Sequence, residues 1–144
     1  MWFKRKGNLT EYPLIVEWDT LRVNVQRYKL RVYSNHKPLT FILDSGSERG
    51  LILPEAVSDC AYCPTGQSST LVGIGGSSPT EDILLMFDFN ENTSSAENSH
   101  FGLDFDIIHG QSAQIFKSYG VDGLLGANFL QFCIVDYRKG IVQL

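Results

Sequence analysis

The stretch that most constrains the fold is an apolar run that leads directly into an acidic turn, Phe41-Ile42-Leu43-Asp44-Ser45-Gly46. Three apolar residues followed by turn residues are typical of a buried strand that ends in a tight turn. Gly46 permits a sharp turn, and the Ser45 hydroxyl can hydrogen-bond locally to fix it. By composition alone Asp-Ser-Gly is an ordinary turn. Asp44 is predicted to lie at the edge of the core, where burial and neighbouring charges can change its pKa.

Two further motifs follow downstream. A glycine-rich loop, Gly73-Ile74-Gly75-Gly76, lies mid-chain, and Leu124-Leu125-Gly126 with Asn128-Phe129-Leu130 lies near the end. The loop does not fit a phosphate-binding loop, because Ser78 stands where the third glycine is needed and no helix is predicted to follow. With Asp44-Ser45-Gly46 upstream, the set resembles the retropepsin-like aspartic proteases over about residues 28–144. That resemblance implies an all-β, single-domain acid-protease barrel with one or two short helices.

The same resemblance implies a role for each motif. Asp44 would bind and activate water, Ser45 would lock two active-site turns together, and Gly46 would leave room for the substrate backbone. The glycine-rich hairpin would be a flap that closes over a bound peptide, with its tip against the substrate. The substrate-binding residues expected on this basis, or from their position beside the turn, are Gly73, Ile74, Gly75, Gly76, Glu48 and Leu125.

The chain contains a single Asp-Ser/Thr-Gly in its 144 residues. Aspartic proteolysis needs two carboxylates that share a proton, one to accept a proton from water and one to donate to the carbonyl. A second chain must therefore supply the other carboxylate. We predict a C2 homodimer in which Asp44 faces its symmetry mate and acts on polypeptides. The resemblance implies the same assembly, because retroviral-type enzymes are dimers of one-domain chains.

The chain departs from the retroviral pattern at Ala127, where those members carry an arginine. The change removes a family salt bridge near the dimer contact. Additional residues at the start and between Asn90 and His100 also exceed the minimal retroviral length. The sequence therefore resembles a cellular or bacterial member of the family more than a viral one.

Composition and charge narrow the classes of protein to which the chain can belong. Hydrophobic residues make up 43% of the chain and charged residues 19%, which is typical of a globular domain. We expect an N-terminal arm over residues 1–12 and the protease domain over residues 13–144. The net charge of −4 argues against a nucleic-acid partner. We expect no membrane span, since no stretch approaches about 20 apolar residues. The start lacks the apolar region of a signal peptide, so the cytoplasm is the default expectation.

Cys60 and Cys63 have the two-residue spacing seen in zinc and redox sites. A structural zinc would need two further ligands, and none comes as a matching second pair. The residues available for that purpose are His36, His100, His109 and Cys133. We therefore predict no metal and no cofactor, and a local disulfide and plain thiols both stay open.

Alternation and turn residues predict the remaining elements. Asp104 and Asp106 alternate along one strand and are expected on a solvated face. Asn128 is expected to cap a short turn, His36 to be solvated, and the polar segment 90–100 to be disordered or an insertion. Helical turns are expected within 54–59 and 111–119. The predicted strands cover 14–16, 21–25, 28–33, 39–43, 51–53, 68–72, 82–88, 101–108, 134–136 and 141–144.

The leading function is thus an aspartic endopeptidase that hydrolyses peptide bonds through water activated by an Asp44 dyad. The alternative is a catalytically inactive retropepsin-like domain that binds a peptide or a protein. A third hypothesis is a thiol or zinc protein built on Cys60 and Cys63.

Overall fold

The computed structural model describes residues 1–3, 10–19, 22–73 and 76–144. Strands dominate this part of the chain, and its helices are short. The strands are β1 (Trp2–Phe3), β2 (Glu11–Pro13), β3 (Ile15–Trp18), β4 (Gln26–Ser34), β5 (Lys37–Leu43), β6 (Gly50–Ile52), β7 (Ala61–Gly73), β8 (Gly76–Phe87), β9 (Phe101–Ile107), β10 (Gly123–Leu125), β11 (Ile134–Asp136) and β12 (Ile141–Gln143). The helices are α1 (Pro54–Val57), α2 (Gln111–Ser118), α3 (Ala127–Leu130) and a 3₁₀ turn (Glu91–Thr93).

The hairpin of β4 and β5 delivers Asp44 to the end of a strand. Asn35 and His36 form its two-residue turn with φ angles of 49° and 67°, a left-handed pair that suits a tight hairpin. The alternating apolar residues of the two strands point into the core, and Leu30 lies opposite Phe41. This register places the chain reversal after Leu43 at the edge of the core.

The larger sheet has the strand order β3-β4-β5-β10-β6-β9-β8-β7, and β1 pairs separately with β9. Among the described residues this order is open, with β3 and β7 at its ends, rather than closed into a ring. A second sheet has the order β11-β12-β2. The late strand β10 runs parallel to β5 and antiparallel to β6. It therefore lies between two strands that are consecutive in the chain, and the loop at residues 44–49 connects those strands around it.

A core rich in phenylalanine holds these strands together. Phe41 stacks on Phe105 with ring centroids 5.2 Å apart, and both side chains are fully buried. Phe87 stacks on Phe101 at 5.6 Å, and Phe129 of α3 packs on the same group. Burying aromatic rings of this size supplies much of the hydrophobic stabilisation of a small domain. The core lies directly beneath the end of β5.

The all-β class is confirmed, although the described residues form three short α-helices where one or two were expected. The strand predicted at 21–25 is wrong where it is described: residues 22–24 form a turn, and Asn24 has a φ of 60°. The antiparallel pairing of Trp18 with Gln26 requires the chain to reverse there.

Several segments expected at the periphery take part in the fold. Within the predicted arm, residues 2–3 lie in β1 and residues 11–12 in β2. The polar segment 90–100 packs against the β4–β5 turn, where the Asn35 backbone N–H donates to the Ser94 carbonyl at 2.6 Å. His36 is exposed, as expected, yet its Nδ1 lies 2.7 Å from the Glu91 carbonyl. In the described part of the chain, no helix has the length and apolar character needed to cross a membrane.

Candidate active site

Asp44 lies on a turn that backbone hydrogen bonds hold in place. Its N–H donates to the carbonyl of Leu125 in β10 at 3.0 Å, and its carbonyl accepts from the Ser47 N–H at 3.2 Å. The Gly46 N–H donates to the Asp44 Oδ1 at 2.9 Å, an Asx-type contact that orients the carboxylate. The residues Asp44, Ser45 and Gly46 are all exposed. The turn therefore presents an oriented carboxylate to solvent.

Gly126 and the first residues of α3 pack against the loop that carries Asp44. A Cβ on Gly126 would lie 2.5 Å from the Arg49 carbonyl oxygen and 2.6 Å from that of Ser47, a distance that real Cβ contacts do not reach. The first N–H groups of α3 donate to the loop, Ala127 to the Ser47 carbonyl at 2.7 Å and Asn128 to the Glu48 carbonyl at 3.0 Å. These contacts satisfy donors that a helix start leaves free, so α3 and the active-site loop form one packed unit.

Asp122, just before Gly123-Leu124-Leu125-Gly126, has a structural role. Its Oδ2 accepts from the Thr40 N–H at 2.8 Å, and its own N–H donates to the Thr40 carbonyl at 2.9 Å. The pair of bonds fixes the start of β10 beside β5.

The predicted substrate-binding residues fall into three environments. Glu48 is exposed on the loop that carries Asp44, whereas Leu125 is fully buried and contributes its carbonyl to the turn. Gly73 and Gly76 pair at the end of the β7–β8 hairpin. Ile74 and Gly75, the predicted tip, lie outside the described residues.

No protein-family model and no curated protein matches the chain. Among solved structures, it is similar to a retropepsin-like aspartic protease from Rickettsia conorii, with a TM-score of 0.55 and 13% sequence identity. The match covers 96% of this chain and 100% of that one. The chain has the retropepsin-like fold.

Within this fold, the position of Asp106 corrects the expectation of a solvated strand face. Its side chain is buried, as is that of Asp82 on the neighbouring strand, and Arg49 pairs with both. Burial raises the pKa of Asp106; the nearby Arg49 lowers it and Asp104 raises it further. The alternation of β9 indicated a polar face correctly but not that Arg49 covers it. The signal available in the sequence was a pair of acids, Asp82 and Asp106, within otherwise apolar strands, together with an arginine just after the Asp44 turn.

Asn128 does not cap the final helical turn, which corrects a second expectation. It lies inside α3, where Gly126 occupies the N-cap position, and its Nδ2 donates to the Asp104 carbonyl at 3.1 Å. The Asn128 amide thus connects α3 to β9. This tertiary contact cannot be predicted from the local sequence.

The other candidate ligands are dispersed through the retropepsin-like fold. His100 pairs with the buried Asp88 beyond the end of β8, at the opposite end of the β4–β5 hairpin from Asp44. Cys60, Cys63 and Cys133 are free thiols, and burial raises the pKa of Cys133 to about 12. In the ranges that the structure describes, no three His, Cys, Asp or Glu side chains are grouped as a metal site requires.

Proposed function

We propose that the protein is an aspartic endopeptidase in which Asp44 and the Asp44 of a second copy form the catalytic dyad. The observation that carries this proposal is the exposed, oriented carboxylate at the end of β5, on a turn packed against Gly126 and α3. A carboxylate fixed in this way costs little reorganisation when it binds a water molecule. Similarity of fold to a solved aspartic protease supports the same assignment.

The second carboxylate comes from another chain because this one holds a single Asp-Ser-Gly. The buried acids of the neighbouring strands, Asp82 and Asp106, are engaged by Arg49. Across a two-fold axis, two copies of the exposed turn would meet through the same surface. Two close carboxylates cannot both ionise readily, so they share one proton and divide the acid and base roles.

The substrate would be an extended polypeptide bound by strand addition between the β7–β8 hairpin and the active-site loop. The hairpin would act as the flap, with Gly73, Ile74, Gly75 and Gly76 over the peptide. Glu48 would contact the peptide beside the catalytic turn. Leu125 would act through the turn, since its side chain is buried and its carbonyl holds Asp44. Ser45 would join the two turns at the axis.

The proposal predicts that the protein cleaves an unstructured polypeptide at mildly acid pH, with a specific activity that rises with protein concentration as dimers form. A peptide whose scissile bond is replaced by a hydroxyl-bearing mimic of the tetrahedral intermediate should inhibit it, because it resembles the transition state. Mass spectrometry of the products measures cleavage and its inhibition, and sedimentation of the protein measures how much dimer is present at each concentration. A confirmed dimer that cleaves nothing from acid to neutral pH would instead support the inactive peptide-binding domain.

A further inference from the structure

An ion cluster of one half-buried arginine and two buried acids joins the active-site loop to the β7–β8 hairpin. Arg49, five residues after Asp44, pairs through its Nη2 with Asp82 of β8, and its Nε lies 3.5 Å from the Asp106 Oδ2 of β9. Thr65 of β7 donates to the Asp82 Oδ2 at 2.7 Å. The cluster of Arg49, Asp82 and Asp106, here called the Arg49 latch, thus links the loop to β9 and β8, and Thr65 extends the contact to β7.

The charges in the latch do not balance. Asp82 and Asp106 are direct cross-strand partners and are each only 6% exposed. Two like charges facing each other across strands are destabilising, and one guanidinium neutralises only one of them. The Asp106 Oδ1 is buried with no hydrogen-bond partner among the described residues. An unpaired buried carboxylate oxygen is costly, and a proton on this carboxyl group removes the excess charge.

We propose that Arg49 is a positioning residue that holds the Asp44 loop against the β7–β8 hairpin, and that a proton on the Asp82–Asp106 pair completes this contact. The part of the proposal that concerns catalysis rests on the proposed function. The contact between loop and hairpin does not, because it can be measured without substrate.

The direction of the pH dependence follows from the groups that face Asp106. These are Asp82 from β8, Arg49 from the loop, and Asp104 on the same strand. Burial raises the pKa of Asp106 in the folded chain above the value of about 3.9 that an unfolded aspartate has. The folded state therefore binds more protons between the two pKa values, and the stabilisation is lost as pH rises through the folded pKa. The latch is therefore strongest below the folded pKa of Asp106 and weakens as the pH rises above it.

Hydrogen exchange of the intact protein tests the latch. We expect Arg49→Gln to speed exchange in the loop 44–50 and in the hairpin by about tenfold, since it leaves the charge of the buried Asp82–Asp106 pair without its cation. Lys117→Gln, which breaks the exposed Lys117–Glu55 pair at 2.9 Å, is the matched control and should change exchange less than about twofold.

Asp106→Asn separates a proton-linked role from simple packing. In the wild type, protection corrected for intrinsic exchange should fall as the pH rises from acid to neutral, because burial raises the pKa of Asp106 and the proton is lost above it. Asp106→Asn mimics the protonated carboxyl group, so its protection should stay at the acid value across that range. An Asp106→Asn protein with the wild-type pH profile, or an Arg49→Gln protein with wild-type exchange, would overturn the proposal.

A kinetic measurement addresses the catalytic part. Arg49→Gln should raise KM for a peptide about tenfold with a smaller change in kcat, and Arg49→Lys should recover most of the loss. Equal kinetics in Arg49→Gln and the wild type would overturn the positioning role. A wild type without any cleavage would overturn the proposed function instead, while the exchange data still decide the contact.

Discussion

Asp44→Asn should reduce peptide cleavage by at least about a thousandfold, because asparagine can neither accept the proton of the attacking water nor share one with its twin. The fold should survive. The side chain is exposed, and the amide oxygen of asparagine can still accept from the Gly46 N–H as Oδ1 does now. We expect the free energy of unfolding to change by about 0.5 kcal/mol or less. Rates of peptide cleavage and denaturant unfolding of the same preparation measure the two quantities.

The matched control for this variant is Asp59→Asn. Asp59 is another exposed acid on a turn, with a φ of 66° that asparagine tolerates well. This protein should cleave at the wild-type rate. Cleavage by Asp44→Asn at the rate of the Asp59→Asn control would contradict the assignment of Asp44.

Gly126→Ala should destabilise the protein by about 3 kcal/mol or more, which is a large fraction of the stability of a single domain. The added Cβ meets the carbonyl oxygens of Ser47 and Arg49 at 2.6 and 2.5 Å. Both oxygens are held by hydrogen bonds, from the Ala127 N–H and from the Ser47 hydroxyl respectively. The loop that carries Asp44 must therefore move away from α3. Thermal unfolding measures the loss, and exchange of the Ala127 and Asn128 amides reports where it arises.

Gly120→Ala controls for the general cost of replacing glycine. Gly120 follows the end of α2 with a φ of 66°, but a Cβ there meets nothing within 4 Å. Only backbone strain is added, so we expect a loss of about 1 kcal/mol. If both variants lose the same free energy of unfolding, the close approach of Gly126 to the Ser47 and Arg49 carbonyls does not contribute to stability.

The parts of the fold that local pattern determines could be predicted from the sequence. Alternation identified the β4–β5 hairpin, and the apolar run before Asp44 identified the strand that ends in the candidate turn. The Asn24 turn was missed because Leu21 to Val25 also alternates, and pairing with β3, not propensity, decides its conformation. Tertiary context overrode the local signal there.

The contacts around the site could not be predicted in the same way. The parallel pairing of β10 with β5 joins Leu125 to Leu43 across most of the chain, and no periodicity encodes it. Likewise Asp106 has the alternation of a solvated residue, yet it is buried in the folded chain, where Arg49 pairs with it. Charge placement in the folded state thus depends on neighbours that are distant in sequence.

The most direct test of the central claim is a subunit-mixing experiment with wild-type and Asp44→Asn chains, with mixed dimers verified by native mass spectrometry. If each active site needs one carboxylate from each chain, an equal mixture should retain about one quarter of the activity of the same total amount of wild type, because only wild-type pairs work. A residual activity of about one half in the presence of mixed dimers would mean that each chain acts alone, and would contradict the shared dyad.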